Sequence, residues 1–193
     1  MISRKGVSRS RSSSKKPGAR AYVIGEQGLR SSLEARGFIL VDDAEADYVV
    51  VGLDRGFDYR KLTIAMRAVL GGAQFVGSNP DVSLPMEDGL CPGAGAFQAA
   101  ISAATGVRPL IIGKPEPTML SIGLRMLDCA PQEAAIVGDR LDTDIVGGQR
   151  AGLVTILVLS GVATAEAAAA SPIKPDYVLR DLAELGERLR IVR

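Results

Sequence analysis

Short apolar runs alternate with amphipathic segments through residues 21–109, and this alternation predicts strands and helices in turn. The runs are too short for helices and rich in Val and Ile, as at residues 48–51, which indicates buried strands. Segment 59–70 repeats Leu62, Met66 and Val69 at helical spacing, and Asp58 precedes it as a good N-cap. The predicted strands are 21–24, 38–41, 48–51 and 74–76, the predicted helices are 27–36, 59–70 and 94–105, and residues 77–92 are predicted as a long loop.

A second series of alternating elements covers residues 110–193. Its segment 117–127 places Met119, Ile122 and Met126 on one helical face. The predicted strands are 110–112, 134–137, 154–159 and 176–179, and the predicted helices are 117–127, 143–150, 163–170 and 181–189. Strands that alternate with helices in this way predict an α/β fold.

Composition excludes several classes of chemistry. The chain of 193 residues has no histidine, which excludes Ser-His-Asp and Cys-His catalysis and most zinc sites. Its two cysteines, Cys91 and Cys129, are too few for a disulfide framework, so a cytoplasmic location is expected. The longest uncharged run, residues 151–165, is too short to span a bilayer, and no membrane contact is expected.

Charge divides the chain into a basic tail and a mildly acidic body. Residues 1–20 carry seven Lys or Arg and no acid, while the remaining 173 residues hold 16 basic and 22 acidic side chains. The tail, residues 1–18, is rich in Ser and Arg and poor in apolar residues, which predicts disorder. It could tether the chain to nucleic acid, or it could be a leader without function; we favour the second interpretation.

Three carboxylates lie within six residues in the stretch 137–145, VGDRLDTDI, directly after the apolar run 134–137. Carboxylates 4 Å apart repel each other by about 4 kcal/mol at an effective dielectric of 20. A bound divalent cation reverses the sign of that interaction, and oxygen ligands are those that Mg²⁺ prefers. Ligands of parallel α/β sheets bind beyond the carboxyl ends of strands, where this loop is expected. The pattern therefore predicts a magnesium site.

The same stretch carries a family resemblance. Together with Gly113-Lys114-Pro115 and AGLVTILVLSGV at residues 151–162, it resembles the haloacid-dehalogenase (HAD) superfamily. VVVGLDRGFDYRKL from Val49 and SNPDVSLPMEDGLCPGAGAFQAAI from Ser78 are similar to the cap of the type IIA phosphatases, which act on p-nitrophenyl phosphate, phosphoglycolate or pyridoxal phosphate.

The resemblance implies an architecture and an activity. It implies a HAD-like Rossmannoid core, of which only the C-terminal part is present, with an α/β cap of the type IIA kind. The expected division is a tail at residues 1–18, a cap at 19–109 and the core part at 110–193. The implied function is Mg²⁺-dependent hydrolysis of a small phosphorylated metabolite, and a homodimer through the cap is possible.

The resemblance also implies roles for individual residues. Lys114 matches the lysine that neutralises the catalytic carboxylate and the phosphate oxygens, so it is expected to act in both catalysis and substrate binding. Asp139 matches the magnesium ligand, and Asp144 matches its partner in the metal site, which holds a metal-bound water or Lys114. Helix capping is the alternative for Asp144, and solvent or capping is favoured for Asp142. Leu84 occupies a substrate-binding position where pyridoxal phosphate phosphatases place a histidine.

One motif of the family has no counterpart. Enzymes that the chain resembles carry Asp-x-Asp-Gly, which supplies the nucleophile and the acid/base, and the 193 residues contain no such sequence. The chain is therefore expected to be a truncated phosphatase that is inactive as it stands. The alternative is a non-catalytic binding or regulatory remnant of such an enzyme. The physiological substrate does not follow from the sequence.

Overall fold

The computed structural model describes residues 18–190, so the tail predicted at residues 1–18 lies outside it except for Gly18. The strands are β1 (Arg20–Ile24), β2 (Ile39–Val41), β3 (Tyr48–Val51), β4 (Gln74–Gly77), β5 (Ser83–Met86), β6 (Gly89–Pro92), β7 (Leu110–Ile111), β8 (Ala135–Gly138), β9 (Val154–Val158) and β10 (Tyr177–Leu179). The helices are α1 (Gln27–Glu34), α2 (Tyr59–Leu70), α3 (Ala94–Thr105), α4 (Thr118–Leu127), α5 (Val146–Ala151), α6 (Ala165–Ala170) and α7 (Leu182–Arg190).

The first sheet has five parallel strands in the order β2-β1-β3-β4-β7. Its core is aliphatic, with Ile24, Val49, Val51 and Ile101 fully buried between the sheet and helices α2 and α3. Helix α2 begins where the sequence predicts, because the Asp58 carboxylate accepts the Lys61 N–H at 2.7 Å. The predicted α/β class is confirmed.

Strand β7 forms the edge of this first sheet. Leu110 and Ile111 pair with Val76 and Gly77 of β4, so the short strand that was predicted to open the second series joins the first sheet. Chain direction is parallel at this edge, and the carboxyl end of β7 therefore lies beside that of β4. The domain boundary between residues 109 and 110 stays a prediction.

The prediction of a loop at residues 77–92 is wrong in its second half. Strands β5 and β6 form an antiparallel hairpin in which Leu84 faces Cys91 and Pro85 faces Leu90. Pro85 cannot donate a hydrogen bond to a ladder, but both strands of an isolated hairpin are edges, where proline is tolerated. Gly89, at φ +132°, opens the second strand in a backbone conformation that favours glycine.

The second sheet has three parallel strands in the order β10-β9-β8. Ile145 and Leu157 are fully buried between this sheet and the helices beside it. Within residues 18–190 the outer edge of β8 has no pairing strand. The apolar face predicted for α4 is also partly open, and Met126 is 82% exposed.

The helix predicted at residues 143–150 begins earlier and differently. A π-helical turn, Leu141–Ile145, leads into α5 without a break. The turn brings the acidic loop against β8, where Asp144 lies over Gly138. In the described part of the chain, no helix is both long enough and apolar enough to cross a membrane.

Candidate active site

Lys114 stands just beyond the carboxyl end of β7. The Gly113 N–H donates to the Ser78 carbonyl at 2.8 Å, and a side chain at Gly113 would overlap that carbonyl oxygen. The backbone before Lys114 is therefore fastened to the loop that leaves β4. From this anchor the Lys114 Nζ donates to Asp144 Oδ1 at 2.5 Å.

Asp144 is buried, with 5% of its surface exposed, and both of its oxygens are engaged. Oδ1 accepts the ammonium of Lys114, and Oδ2 accepts the backbone N–H groups of Asp139 (3.2 Å) and Arg140 (3.1 Å). The π-helical turn folds Asp144 back over β8, where Gly138 leaves room for it. Charge-assisted hydrogen bonds of this kind hold a buried carboxylate in one orientation.

Asp139 lies at the end of β8 and is held from the other side. Its Oδ2 accepts the Val162 N–H at 2.9 Å, and its carbonyl accepts the Ala163 N–H at 3.0 Å. A side chain at Gly161 would overlap the Asp139 carboxylate. The loop after β9 thus fixes Asp139, and among the described residues no hydrogen bond or ion pair engages its Oδ1.

The donor set fits Mg²⁺ in part. Mg²⁺ is commonly bound through one or two carboxylates together with waters and phosphate oxygens, and Asp139 Oδ1 is available for such a bond. Asp144 has no oxygen left over, so its geometry suits the support of Lys114 rather than direct coordination. Within residues 18–190 no group of three or more acidic, Cys or His side chains is placed to hold a metal ion.

Asp142 points away from this cluster. Its carboxylate pairs with the guanidinium of Arg140 at 3.1 Å, and this hydrogen bond raises the pKa of Arg140 above its usual value. Two-thirds of the Asp142 side chain is exposed, as its predicted solvent role requires. The sequence did not predict that the backbone N–H groups of Arg140 and Val162 donate to Asp144 and Asp139, because every residue except proline has a backbone N–H.

Leu84 lies elsewhere. It lines a cavity of about 320 Å³ between the β5–β6 hairpin and the loop that follows β3, and the walls of this cavity include none of Lys114, Asp139 and Asp144. The structure therefore brings together three of the four predicted site residues and places the fourth in a separate cavity.

Comparisons with known proteins agree with the resemblance. The family described as HAD-hydrolase-like matches residues 111–185. The acid sugar phosphatase of Staphylococcus saprophyticus is 44% identical over 173 residues, which are 90% of this chain and 67% of that protein. The chain spans about two thirds of the length of the curated relatives it matches.

Solved structures agree as well. The p-nitrophenyl phosphatase from Archaeoglobus fulgidus superposes with a TM-score of 0.85 at 37% identity, covering 90% of this chain and 68% of that one. The glycerol phosphate phosphatase from Mycobacterium tuberculosis, solved in complex with magnesium, gives 0.81 at 39% identity, covering 88% and 52%. This chain belongs to the HAD-like hydrolase superfamily, and within it to the type IIA group.

Proposed function

We propose that this chain provides the phosphate- and magnesium-binding part of a phosphatase for a small phosphorylated metabolite. The observation that carries the proposal is the ion pair between Lys114 and the buried Asp144, beside the available carboxylate of Asp139. Relatives named acid sugar phosphatase and glycerol phosphate phosphatase support a phosphorylated sugar or polyol as the substrate class. The proposed units are a cap at residues 19–109 and a core part at 110–193.

Each residue has a proposed task that follows from its contacts. Lys114 is partly exposed while Asp144 is buried behind it, so Lys114 can offer its remaining N–H donors to phosphate oxygens. Asp144 keeps the ammonium in place and compensates its charge. Asp139 would hold Mg²⁺, which when bound neutralises phosphate charge. The loop after β9 keeps that carboxylate directed at the site.

We propose that turnover by the 193-residue polypeptide alone is very low. It contains no Asp-x-Asp-Gly, and loss of the nucleophile from a comparable catalytic unit lowers the rate on the order of a millionfold. Hydrolysis of p-nitrophenyl phosphate with Mg²⁺ tests this point directly. A rate that is high in the unmodified chain and lost in Lys114→Ala would show that the chain carries a complete active site.

Binding of inorganic phosphate tests the site itself, independently of turnover. Calorimetric titration of the full chain with phosphate, with and without Mg²⁺, should show binding that Mg²⁺ strengthens. Lys114→Ala should weaken it at least about tenfold, because a charge-assisted hydrogen bond is lost. The matched control Lys174→Ala removes the same charge from an exposed site and should change nothing.

The proposed role of Asp139 as a Mg²⁺ ligand is tested by a matched pair of substitutions. Asp139→Asn should abolish the Mg²⁺ dependence of phosphate binding, since a neutral amide is a poor replacement for a carboxylate ligand. Asp142→Asn removes an equal charge three residues away and should keep the dependence. Equal effects of the two changes would contradict the assignment of Asp139.

A non-catalytic binding or regulatory protein is the second candidate function. The missing Asp-x-Asp-Gly favours it, as does the open apolar face of α4. Phosphate binding separates the two candidates, because a remnant that had lost its chemistry would not need Lys114 and Asp139 to cooperate. A chain that binds neither phosphate nor Mg²⁺ would favour the second candidate.

Two further parts of the proposal concern location and assembly. Both cysteines are free, which supports a cytoplasmic protein. We also propose a homodimer through the cap, because Leu90 of the β5–β6 hairpin and Val82, just before β5, are exposed, Leu90 by 76%. Nucleic acid is not among the proposed partners.

A further inference from the structure

Gln98 is a buried amide side chain that has no part in the phosphate chemistry proposed above. It lies in the second turn of α3, and 3% of its surface is exposed. The other buried residues of this helix are Ala94, Gly95 and Ile101, so Gln98 is the polar member of an otherwise small and apolar set. A buried polar group costs free energy unless it forms hydrogen bonds. The partners of Gln98 therefore indicate its task.

These partners are main-chain carbonyl groups at the carboxyl ends of two neighbouring strands. The Gln98 Nε2 donates to the Asn79 carbonyl, just beyond β4, at 2.9 Å, and lies 3.5 Å from the Val51 carbonyl at the end of β3. A side chain at Gly77 would overlap the Gln98 amide at 2.6–2.7 Å, so the amide packs directly against the last residue of β4. The end of the first sheet is thus shaped to receive an amide at this position.

The Asn79 carbonyl belongs to the loop that fastens the backbone of Lys114. The Ser78 N–H donates to the carbonyl at the end of β3 at 2.9 Å, and the Ser78 carbonyl accepts the Gly113 N–H at 2.8 Å. Gly113 directly precedes Lys114 in the chain. A short series of hydrogen bonds therefore connects Gln98 to the backbone from which Lys114 extends.

The same loop is also held at its far end. The Asn79 Oδ1 accepts the Asp81 N–H at 3.1 Å, and the Asp81 carbonyl accepts the Gly95 N–H at 2.8 Å. A side chain at Gly95 would overlap the main chain of this loop. Because the far end is fastened, release of the Asn79 carbonyl should move Ser78, and with it the Gly113 N–H.

We propose that Gln98 is a positioning residue for Lys114. Its amide fixes the loop after β4, and this loop fixes the backbone from which the ammonium reaches Asp144. Charged groups of a binding site must be held to within about 0.5 Å of their working geometry, so a looser loop should weaken the site. The effect on phosphate rests on the proposed function, whereas the link to the Lys114 backbone rests on these contacts alone.

Gln98→Met tests this link in the full chain, because methionine has a similar length and flexibility but no N–H donor. Calorimetric titration with inorganic phosphate and Mg²⁺ should show an affinity about two- to tenfold weaker, the range that corresponds to the loss of one hydrogen bond. Amide hydrogen exchange followed by NMR should be faster at Gly113. It should stay the same at Leu159, whose N–H donates to the Leu179 carbonyl in the second sheet.

Two control variants separate positioning from general stability. Ile101→Val removes a buried methylene from the same helix and lowers stability, but it removes no hydrogen bond of the loop. Gln149→Met removes a side-chain amide of α5 that donates to the Lys174 carbonyl at 2.7 Å. Both variants should bind phosphate like the unmodified chain.

Gln98→Glu supplies a pH profile that a purely structural role would not produce. A carboxylate cannot donate to the Asn79 carbonyl, whereas the protonated acid can. Burial raises the pKa of such a carboxyl, so the phosphate affinity of this variant, relative to that of the unmodified chain, should recover as the pH falls from about 8 to about 5. This variant also decides the question if Gln98→Met does not fold.

Three results overturn the proposal: unchanged exchange at Gly113 in Gln98→Met, an equal loss of phosphate affinity in Ile101→Val, or a relative affinity of Gln98→Glu that does not change with pH. Failure of the proposed function looks different, because the unmodified chain would then bind no phosphate at all. Faster exchange at Gly113 in Gln98→Met would support the link to the Lys114 backbone even in that case.

Discussion

Asp144 joins parts of the chain that are far apart in sequence. Its two oxygens receive Lys114 from the first sheet and the main chain of Asp139 from the second. The geometry depends on a residue that has no side chain, since any Cβ at Gly138 would overlap the Cβ and Cγ of Asp144. A single methyl group is therefore enough to disturb the whole cluster.

At the residue scale, Gly138→Ala should destabilise the chain and weaken phosphate binding. Overpacking of this kind costs about 1–3 kcal/mol, because Asp144 or β8 must shift. Gly123→Ala is the matched control: nothing lies within 4 Å of its added methyl, in the interior of α4, so stability should stay the same or rise by about 0.5–1 kcal/mol. Urea unfolding measures both. Equal unfolding free energies for the two variants would contradict the steric account.

At the element scale, the regular elements could be predicted and the tight turns could not. Strand β3 and helices α2 and α3 have the predicted bounds, because β-branched runs, an Asp58 cap and terminating glycines act locally. The β5–β6 hairpin was not predicted, because a proline such as Pro85 is uncommon in strands and the pairing of β5 with β6 is not visible in the sequence pattern. The π-helical turn was not predicted. It places Asp144 against Lys114, which lies 30 residues away in the sequence, and a local pattern does not indicate such a distant contact.

The candidate site shows the same division between local pattern and distant contact. The acidic pattern predicted a cation site, and solvent or capping was favoured for Asp142, whose side chain pairs with Arg140 and is two-thirds solvent-exposed. Pattern alone could not separate these roles, because all three are acidic and only their partners differ. The Asp139 carboxylate accepts a hydrogen bond from the main-chain N–H of Val162, after β9, and the type of a residue does not predict such a bond.

Helix α7 should become less helical in acid when the carboxylate of Glu184 is protonated. Glu184 accepts hydrogen bonds from the Arg180 main chain and from Arg188, which lower its pKa from 4.5 to about 2. A lowered folded pKa stabilises the helix above pH 4.5, and that stabilisation is lost as pH falls toward 2. The Cα chemical shifts of α7 should therefore become less helical over this interval.

The matched variants isolate Glu184. Glu184→Gln should reduce α7 helicity at neutral pH and flatten its acid response, while Glu187→Gln, exposed on the same helix, should behave like the unmodified chain. If the two variants titrate alike, the ion pairs of Glu184 do not support the helix.

On the scale of the whole molecule, two apolar surfaces remain open within the described residues. One is Leu90 of the β5–β6 hairpin together with Val82, just before β5, and the other is the α4 face with Met126. One surface belongs to a hairpin and the other to a helix, so they allow different contacts. Exposed apolar area of this kind favours association.

The proposed cap dimer distinguishes these surfaces. Leu90→Glu should convert a dimer to a monomer in sedimentation velocity, because a charge would be buried without a partner. Leu70→Glu, on an exposed position of α2, should leave the dimer intact. If Met126→Glu dissociates the dimer and Leu90→Glu does not, the interface lies on α4 instead of the cap.

Gly113, Gly138 and Gly161 have no space for a side chain: Gly138 stands against Asp144, Gly161 stands against Asp139, and Gly113, next to Lys114 in the chain, stands against the Ser78 carbonyl. Glycine codons share their first two bases, so every nucleotide change at those bases introduces a side chain or a stop. A saturation library selected for phosphate binding should therefore contain glycine alone at these three positions, while Gly28 and Gly123, with open space around them, should accept many substitutions. The site formed by Lys114, Asp139 and Asp144 is thus more vulnerable to random point mutation than its three charged residues suggest.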